Sequence, residues 1–147
     1  MSNSPYLYSI SVAINAPPAH VWRIMSDVER WPVWTASIKK VGRLDSGPLV
    51  VGSKAWVFQP KVPRALWQVT ALEPERSFTW VSQGPGVRVT GYHLVEPASN
   101  GSQVTLSIEY IGFLSPLVAR LTARLNERYL GLEAAGLKKQ SEGTFIK

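Results

Sequence analysis

Between residues 6 and 14 the chain alternates, with Tyr6, Tyr8, Ile10, Val12 and Ile14 on one side and Leu7, Ser9, Ser11 and Ala13 on the other. That period of two predicts a half-buried strand. Pro17 and Pro18 suit the start of a helix, where a missing N–H costs nothing. The helix is expected to run to about Asp27, burying Val21, Trp22, Ile24 and Met25. Glu29 to Trp31 add a short turn before Pro32 makes the chain extended. Six more strands are predicted near 38–45, 53–59, 64–73, 76–83, 86–96 and 103–112. Turn residues separate them, at Ser46-Gly47-Pro48, Pro60 and Pro63, Glu73-Pro74-Glu75, Gly84-Pro85-Gly86 and Ser99-Asn100-Gly101. Asn100-Gly101 reads as the central pair of a tight hairpin, both residues at positive φ. Connections this short make an antiparallel meander.

From Ser115-Pro116 to about Lys139 the period becomes helical. At about 100° per residue, Leu114, Leu117, Val118, Leu121, Leu125, Leu132, Ala135 and Gly136 share one broad face, and Arg120, Arg124, Glu127, Ala134 and Lys138 lie off it. The reading is one long amphipathic helix that lays a leucine stripe on the sheet. The whole order is therefore α+β: a strand, two short helices, six antiparallel strands and a long C-terminal helix. A seven-stranded sheet curled around one helix leaves a gap that leucines alone do not fill, and inward side chains would line it.

Composition bounds this picture without changing it. A chain of 147 residues is large enough for one core, so residues 1–147 are read as a single domain. The absence of cysteine excludes disulfides, thiolate metal sites and cysteine nucleophiles. The first residues, MSNSPYLYSIS, carry neither a basic nor an apolar leader region, and no run approaches the ~20 apolar residues of a membrane span. A cytoplasmic location is expected. The net charge of +6 points toward nucleic acid or anionic membrane. Only Lys39-Lys40 and Lys138-Lys139 form doublets, however, and no basic run is interleaved with stacking aromatics. No nucleic-acid partner is expected, and the charge reads as scattered and solubilising.

Six tryptophans are a large number for a plain core. Trp56 and Phe58 share one strand face, as do Phe78 and Trp80, and Tyr110 shares one with Val104, Leu106 and Ile108. Trp67 and Val69 join them in LWQVTAL, where both faces are apolar. The Trp31-Pro32-Val33-Trp34 corner closes one end, where at least one indole is expected to meet the ligand, and Trp34 is counted with the pocket. His93 falls in register with Val87, Val89, Gly91 and Val95, and Gly91 removes a side chain beside it. Arg128 falls by angle between Leu117 and Leu121, inside the stripe. A cation there must snorkel, pair with Glu109 or Glu133, or anchor a ligand oxygen in a wet cavity. These residues, with Leu125, form a predicted ligand pocket of the usual kind, mainly apolar and aromatic with few polar groups. No nucleophile elbow, phosphate loop or zinc motif is present, so no metal or cofactor is expected. Any acid–base chemistry would fall to His93, Tyr110, Tyr92 or Arg128.

The stretches INAPPAHVWRIMSDVERWPVW, WQVTALEPERSFTWVSQGPGVRVTGYHLVEP, NGSQVTLSIEYIGFL and RYLGLEAAGLKKQSEG carry a resemblance. Over essentially its whole length the chain resembles the START/Bet v 1-like superfamily, in the SRPBCC branch of polyketide cyclases, dehydrases and lipid-transport proteins. The resemblance implies a helix-grip fold, in which a curved sheet wraps the C-terminal helix around an apolar cavity. It also implies binding or carriage of a small hydrophobic, aromatic or lipid-like ligand. The alternative is a cyclase or dehydrase acting on a poly-keto or aromatic intermediate. A further alternative is a membrane-surface or protein-interaction module, resting on Arg120, Arg124 and Arg128 with FLSPLV at 113–118.

Overall fold

The computed structural model describes residues 6–145. The chain runs through β1 (Leu7–Ile14), α1 (Pro18–Ser26), a 3-10 turn (Val28–Arg30), α2 (Trp31–Trp34), β2 (Lys40–Arg43), β3 (Lys54–Phe58), β4 (Ala65–Glu73), β5 (Ser77–Gly84), β6 (Val87–Ala98), β7 (Gly101–Ile111) and α3 (Ser115–Thr144). The strands form one curved antiparallel sheet in the order β1-β7-β6-β5-β4-β3-β2. β1 closes on β7 from Leu7 opposite Glu109 to Ile14 opposite Ser102, and α3 lies against β1 and β7. This is the helix-grip arrangement.

Two local expectations change. Trp31-Pro32-Val33-Trp34 is helical rather than extended, because Pro32 occupies the first turn of α2, where its missing N–H is harmless. The β6–β7 hairpin turns on Ser99-Asn100, with Ala98 opposite Gly101. Asn100 is not at positive φ; Gly101 is, at φ 140°. A Cβ on Gly101 would also stand 2.6 Å from the Ile14 carbonyl oxygen.

The ambiguity of LWQVTAL resolves as a β-bulge. Val69 pairs with Trp80 and Ala71 with Thr79, leaving Thr70 as the extra residue. The strand therefore changes phase, so that Trp67, Val69 and then Leu72 join the core. β3 has the opposite phase from that expected. Ala55 and Val57 are buried, whereas Trp56 and Phe58 lie on the other face and are half-buried. Arg64 stands 4.7 Å over the Trp56 ring, and Lys40 Nζ lies 5.9 Å from the Phe58 ring. Residues 55–58 are all apolar, so alternation alone left the phase open. Packing settles it: small Ala55 sits opposite the large Trp67.

The leucine stripe is likewise corrected. α3 buries Ser115, Ala119, Asn126, Leu130, Ala134, Leu137 and Ser141. Leu117 and Leu121 are 54% and 75% exposed, and Arg128 is exposed beside them. The sheet and α2 supply most of the large side chains, and the helix meets them with Ala119, Ala134 and Ser141 between Leu130 and Leu137. At Gly136 the approach is closest, where a Cβ would stand 1.9 Å from the Trp34 carbonyl oxygen. A polar chain crosses the seam: the Tyr110 hydroxyl donates to Asn126 Oδ1 at 2.9 Å. Asn126 Nδ2 donates to Thr122 Oγ1 at 3.2 Å.

Candidate functional site

Between the sheet and α3 lies a cavity of about 70 Å³, walled by Trp31, Trp67, Trp80, His93, Leu130 and Glu133 with backbone at Gly91. Five elements contribute the wall. Alternation on β4, β5 and β6 turns Trp67, Trp80 and His93 inward, α2 supplies Trp31, and α3 supplies Leu130 and Glu133. The rings form a box. Trp80 lies 5.2 Å from Trp31, 5.5 Å from Trp67 and 5.7 Å from His93. Phe78 backs the box, stacked on His93 at 4.0 Å and 8°. Gly91 makes the box possible, since a Cβ there would stand 3.0 Å from both Cδ1 and Nε1 of Trp80.

Two titratable groups face this space. His93 Nδ1 lies 3.2 Å from the Phe78 carbonyl oxygen. A carbonyl can only accept, so Nδ1 carries the proton and Nε2 is left as an acceptor. Burial pushes the imidazole down to about 4, partly opposed by that hydrogen bond, so the ring is neutral at ordinary pH. Glu133 is the reverse case. Burial pushes its carboxyl up to about 7, partly opposed by the hydrogen bond from Ser37. Ser37 Oγ donates to Glu133 Oε1 at 3.3 Å and is itself held by Thr35 Oγ1 at 2.8 Å. A neutral acceptor and a half-protonated carboxyl thus share one aromatic cavity. Among the described residues no three His, Asp or Glu side chains converge as a metal site requires.

Of the residues expected in the pocket, Trp67, Trp80 and His93 wall the cavity, and Phe78 stands directly behind His93. Tyr110 is buried but its hydroxyl is committed to Asn126, and burial pushes it up. Trp34 is displaced outward by one turn of sequence. Its Nε1 is buried without a hydrogen-bond partner among the described residues, and its ring lies 5.9 Å from Trp31. Trp56, Phe58, Leu117, Leu121, Leu125 and Arg128 lie away from the cavity wall. Arg128 pairs with neither suggested carboxylate. Glu133 faces the cavity, and Glu109 is buried on the other face of β7, where it accepts from the Tyr92 hydroxyl at 2.8 Å. Burial and that carboxylate push Tyr92 up to about 12.

The residues missed were Trp31, Leu130 and Glu133. For Leu130 and Glu133 the signal was present in the spacing on α3: Ala119, Asn126, Ala134 and Ser141 mark the inner face, and these two fall beside them. Leu130 has a second role. It also lines an open groove of about 590 Å³ between β1 and α3, shared with Tyr8, Ile10 and Arg124, and so stands as the partition between groove and cavity.

Among the described residues no helix is long and apolar enough to cross a membrane. No curated protein matches the sequence. Solved structures match closely in shape. TTHA0849 from Thermus thermophilus superposes with a TM-score of 0.77 at 17% identity, covering 95% of this chain and 99% of its own. The Zhui aromatase/cyclase from Streptomyces sp. R1128 gives 0.73 at 18%, covering 92% and 93%. Ara h 8.0201 gives 0.71 at 13%, covering 94% and 98%. These identities show a shared fold. With the family model for polyketide cyclase/dehydrase and lipid transport matching residues 8–142, the chain belongs to that family, within the SRPBCC superfamily.

Proposed function

We propose that the protein binds a small, neutral, apolar molecule, aromatic or lipid-like and bearing one oxygen, between the sheet and α3. The observation that carries this reading is the shared wall: an indole box beside two groups that burial keeps from being fully charged. A charged ligand would face a steep desolvation cost there. A hydroxyl or enol could donate to His93 Nε2 and accept from protonated Glu133. Each Å² of apolar ligand surface buried contributes about 25 cal/mol before ordering costs. The cavity is about half the ~150 Å³ that holds benzene in an engineered apolar core. A ligand of two rings would therefore displace Leu130 toward the groove.

The test is native mass spectrometry of the purified protein, followed by denaturing extraction and a fluorescence titration with 2-naphthol. A reproducible small-molecule adduct, or saturable quenching of the indole emission, is expected. A clean mass together with no saturable quenching would end the proposal.

One observation favours a second reading, catalysis of the cyclase or dehydrase kind. A carboxyl poised near 7 at the wall of an aromatic site is suited to general acid–base transfer. The matched Zhui protein is named an aromatase/cyclase. In this reading Glu133 moves the proton and the box holds the folded substrate. Turnover of a poly-keto mimic that survives Glu133→Gln would exclude it.

A further inference from the structure

The outer side of the β7–α3 junction is apolar where solvent should favour polar residues. Phe113 is 84% exposed, Leu121 75%, Leu117 54% and Ile111 45%. Ile111 and Phe113 flank Gly112 in the connection, and Leu117 and Leu121 stand one turn apart on the outward side of α3. Contiguous exposed apolar surface of this kind marks an interaction site. The same outward side carries Arg120, Arg124 and Arg128, all exposed. Among the described residues none of the three forms an ion pair. Glu127 is the single acid on this stretch of α3.

The two sets are graded along the axis. The apolar residues occupy 111–121 and the arginines 120–128. At 1.5 Å per residue, Arg124 stands roughly 10 Å beyond Leu117 along the helix, and Arg128 roughly 16 Å. Measured from Leu121, Arg120 is level, Arg124 stands roughly 5 Å beyond and Arg128 roughly 10 Å, so an apolar tip bordered by a basic collar matches the acyl boundary and headgroup layer of a bilayer, where interfacial helices sink ~5–10 Å. Arginine stems can also lie along the apolar layer while their heads reach phosphate.

We infer that this end of the molecule docks on an anionic membrane surface, with Phe113, Leu117 and Leu121 entering the interface and Arg120, Arg124 and Arg128 contacting lipid phosphates. The charge decides between occupants. Three unpaired arginines around an apolar tip would repel one another across a symmetric contact with a second copy of this chain. A bilayer carrying anionic lipid supplies the apolar phase and the counter-charge together. The inference is independent of what the inner cavity holds.

The full-length protein is sedimented with vesicles of phosphatidylcholine alone and of phosphatidylcholine mixed equally with phosphatidylglycerol, at low and high salt. Binding to the mixed vesicles is expected, with little to the neutral ones and a marked fall in high salt. Phe113→Ser with Leu121→Ser should weaken it more than tenfold, and Arg124→Gln or Arg128→Gln roughly fivefold each. Val33→Ser, an exposed apolar site elsewhere (63%), should leave it unchanged. Circular dichroism checks that each surface variant stays folded. Failure to bind mixed vesicles, equal binding to neutral ones, or full binding by the Phe113/Leu121 variant would overturn the inference. So would a concentration-dependent dimer, dispersed by that variant, with no vesicle binding.

Discussion

His93 donates its Nδ1–H to the carbonyl of Phe78, 3.2 Å away, and stacks on the ring of the same residue at 4.0 Å. One residue therefore fixes the orientation, the tautomer and the desolvation of the imidazole. Among the described residues the ring has no acid partner to favour its charged form, so burial dominates.

This relationship sets a pH test. The unfolded imidazole takes a proton near 6.5 and the folded one near 4, so between these values the unfolded state binds more protons and stability falls as pH falls. Glu133 acts in the other direction. Its folded carboxyl titrates near 7 against 4.5 unfolded, so stability falls as pH rises through that window. In the wild type the two slopes oppose and nearly cancel from about pH 4.5 to 6.5. Glu133→Gln should reveal the histidine slope, losing up to about 3 kcal/mol on acidification. His93→Gln should reveal the opposite slope, with stability falling toward neutral pH. Urea midpoints across about pH 4 to 8 would check this, and parallel profiles for both variants would refute it.

Gly91→Ala tests the aromatic box. The new Cβ would stand 3.0 Å from Trp80 Cδ1 and Nε1, and Trp31, Trp67 and Phe78 leave that indole only the cavity to move into. Overpacking of this sort costs about 1–3 kcal/mol. The same displacement pushes Trp80 into the cavity, so 2-naphthol binding should weaken with it. Thermal denaturation and fluorescence titration report the two effects separately.

Two glycines on α3 should respond with opposite signs. Gly136→Ala places a Cβ 1.9 Å from the Trp34 carbonyl oxygen and should cost about 3 kcal/mol or more. Gly131→Ala meets nothing within 4 Å and should stabilise the helix by roughly 0.5–1 kcal/mol. Urea denaturation of the pair suffices, and equal shifts would disprove the close contact.

Leu130→Ala removes the partition between cavity and groove. A stability loss of about 2–5 kcal/mol is expected for a buried leucine. Affinity for a two-ring probe should nevertheless rise, because the ligand no longer has to displace the side chain. Calorimetry with 2-naphthol distinguishes this from simple damage, in which affinity falls with stability.

Much of the architecture was readable because strand alternation and turn residues agreed, as on β6, where Val95, His93 and Gly91 face inward as their spacing implies. The site was harder to read for a physical reason. The leucines that set the period at the start of α3, Leu117 and Leu121, point outward, whereas the inner face combines Ala119, Ala134 and Ser141 with only Leu130 and Leu137. A reading by leucines therefore selected Leu117, Leu121 and Arg128 and passed over Leu130 and Glu133. On β3 the run Ala55-Trp56-Val57-Phe58 offered no polar residue to fix its phase. Trp31 and Trp34 stand at the two ends of the single turn of α2, and which of them reaches the cavity depends on the packing of that turn against Gly136.

The inner side of α3 mixes small residues, Ala119, Ala134 and Ser141, with two buried leucines, Leu130 and Leu137. Apolar burial alone would tolerate other axial settings, whereas the close approach of Gly136 to the Trp34 carbonyl fits one. The Tyr110–Asn126–Thr122 chain is a second, polar marker of the same position. Such a buried polar contact acts as a detent, adding little binding energy but penalising every misaligned setting with stranded donors. By holding the helix to one setting it also keeps Glu133 level with the indole box.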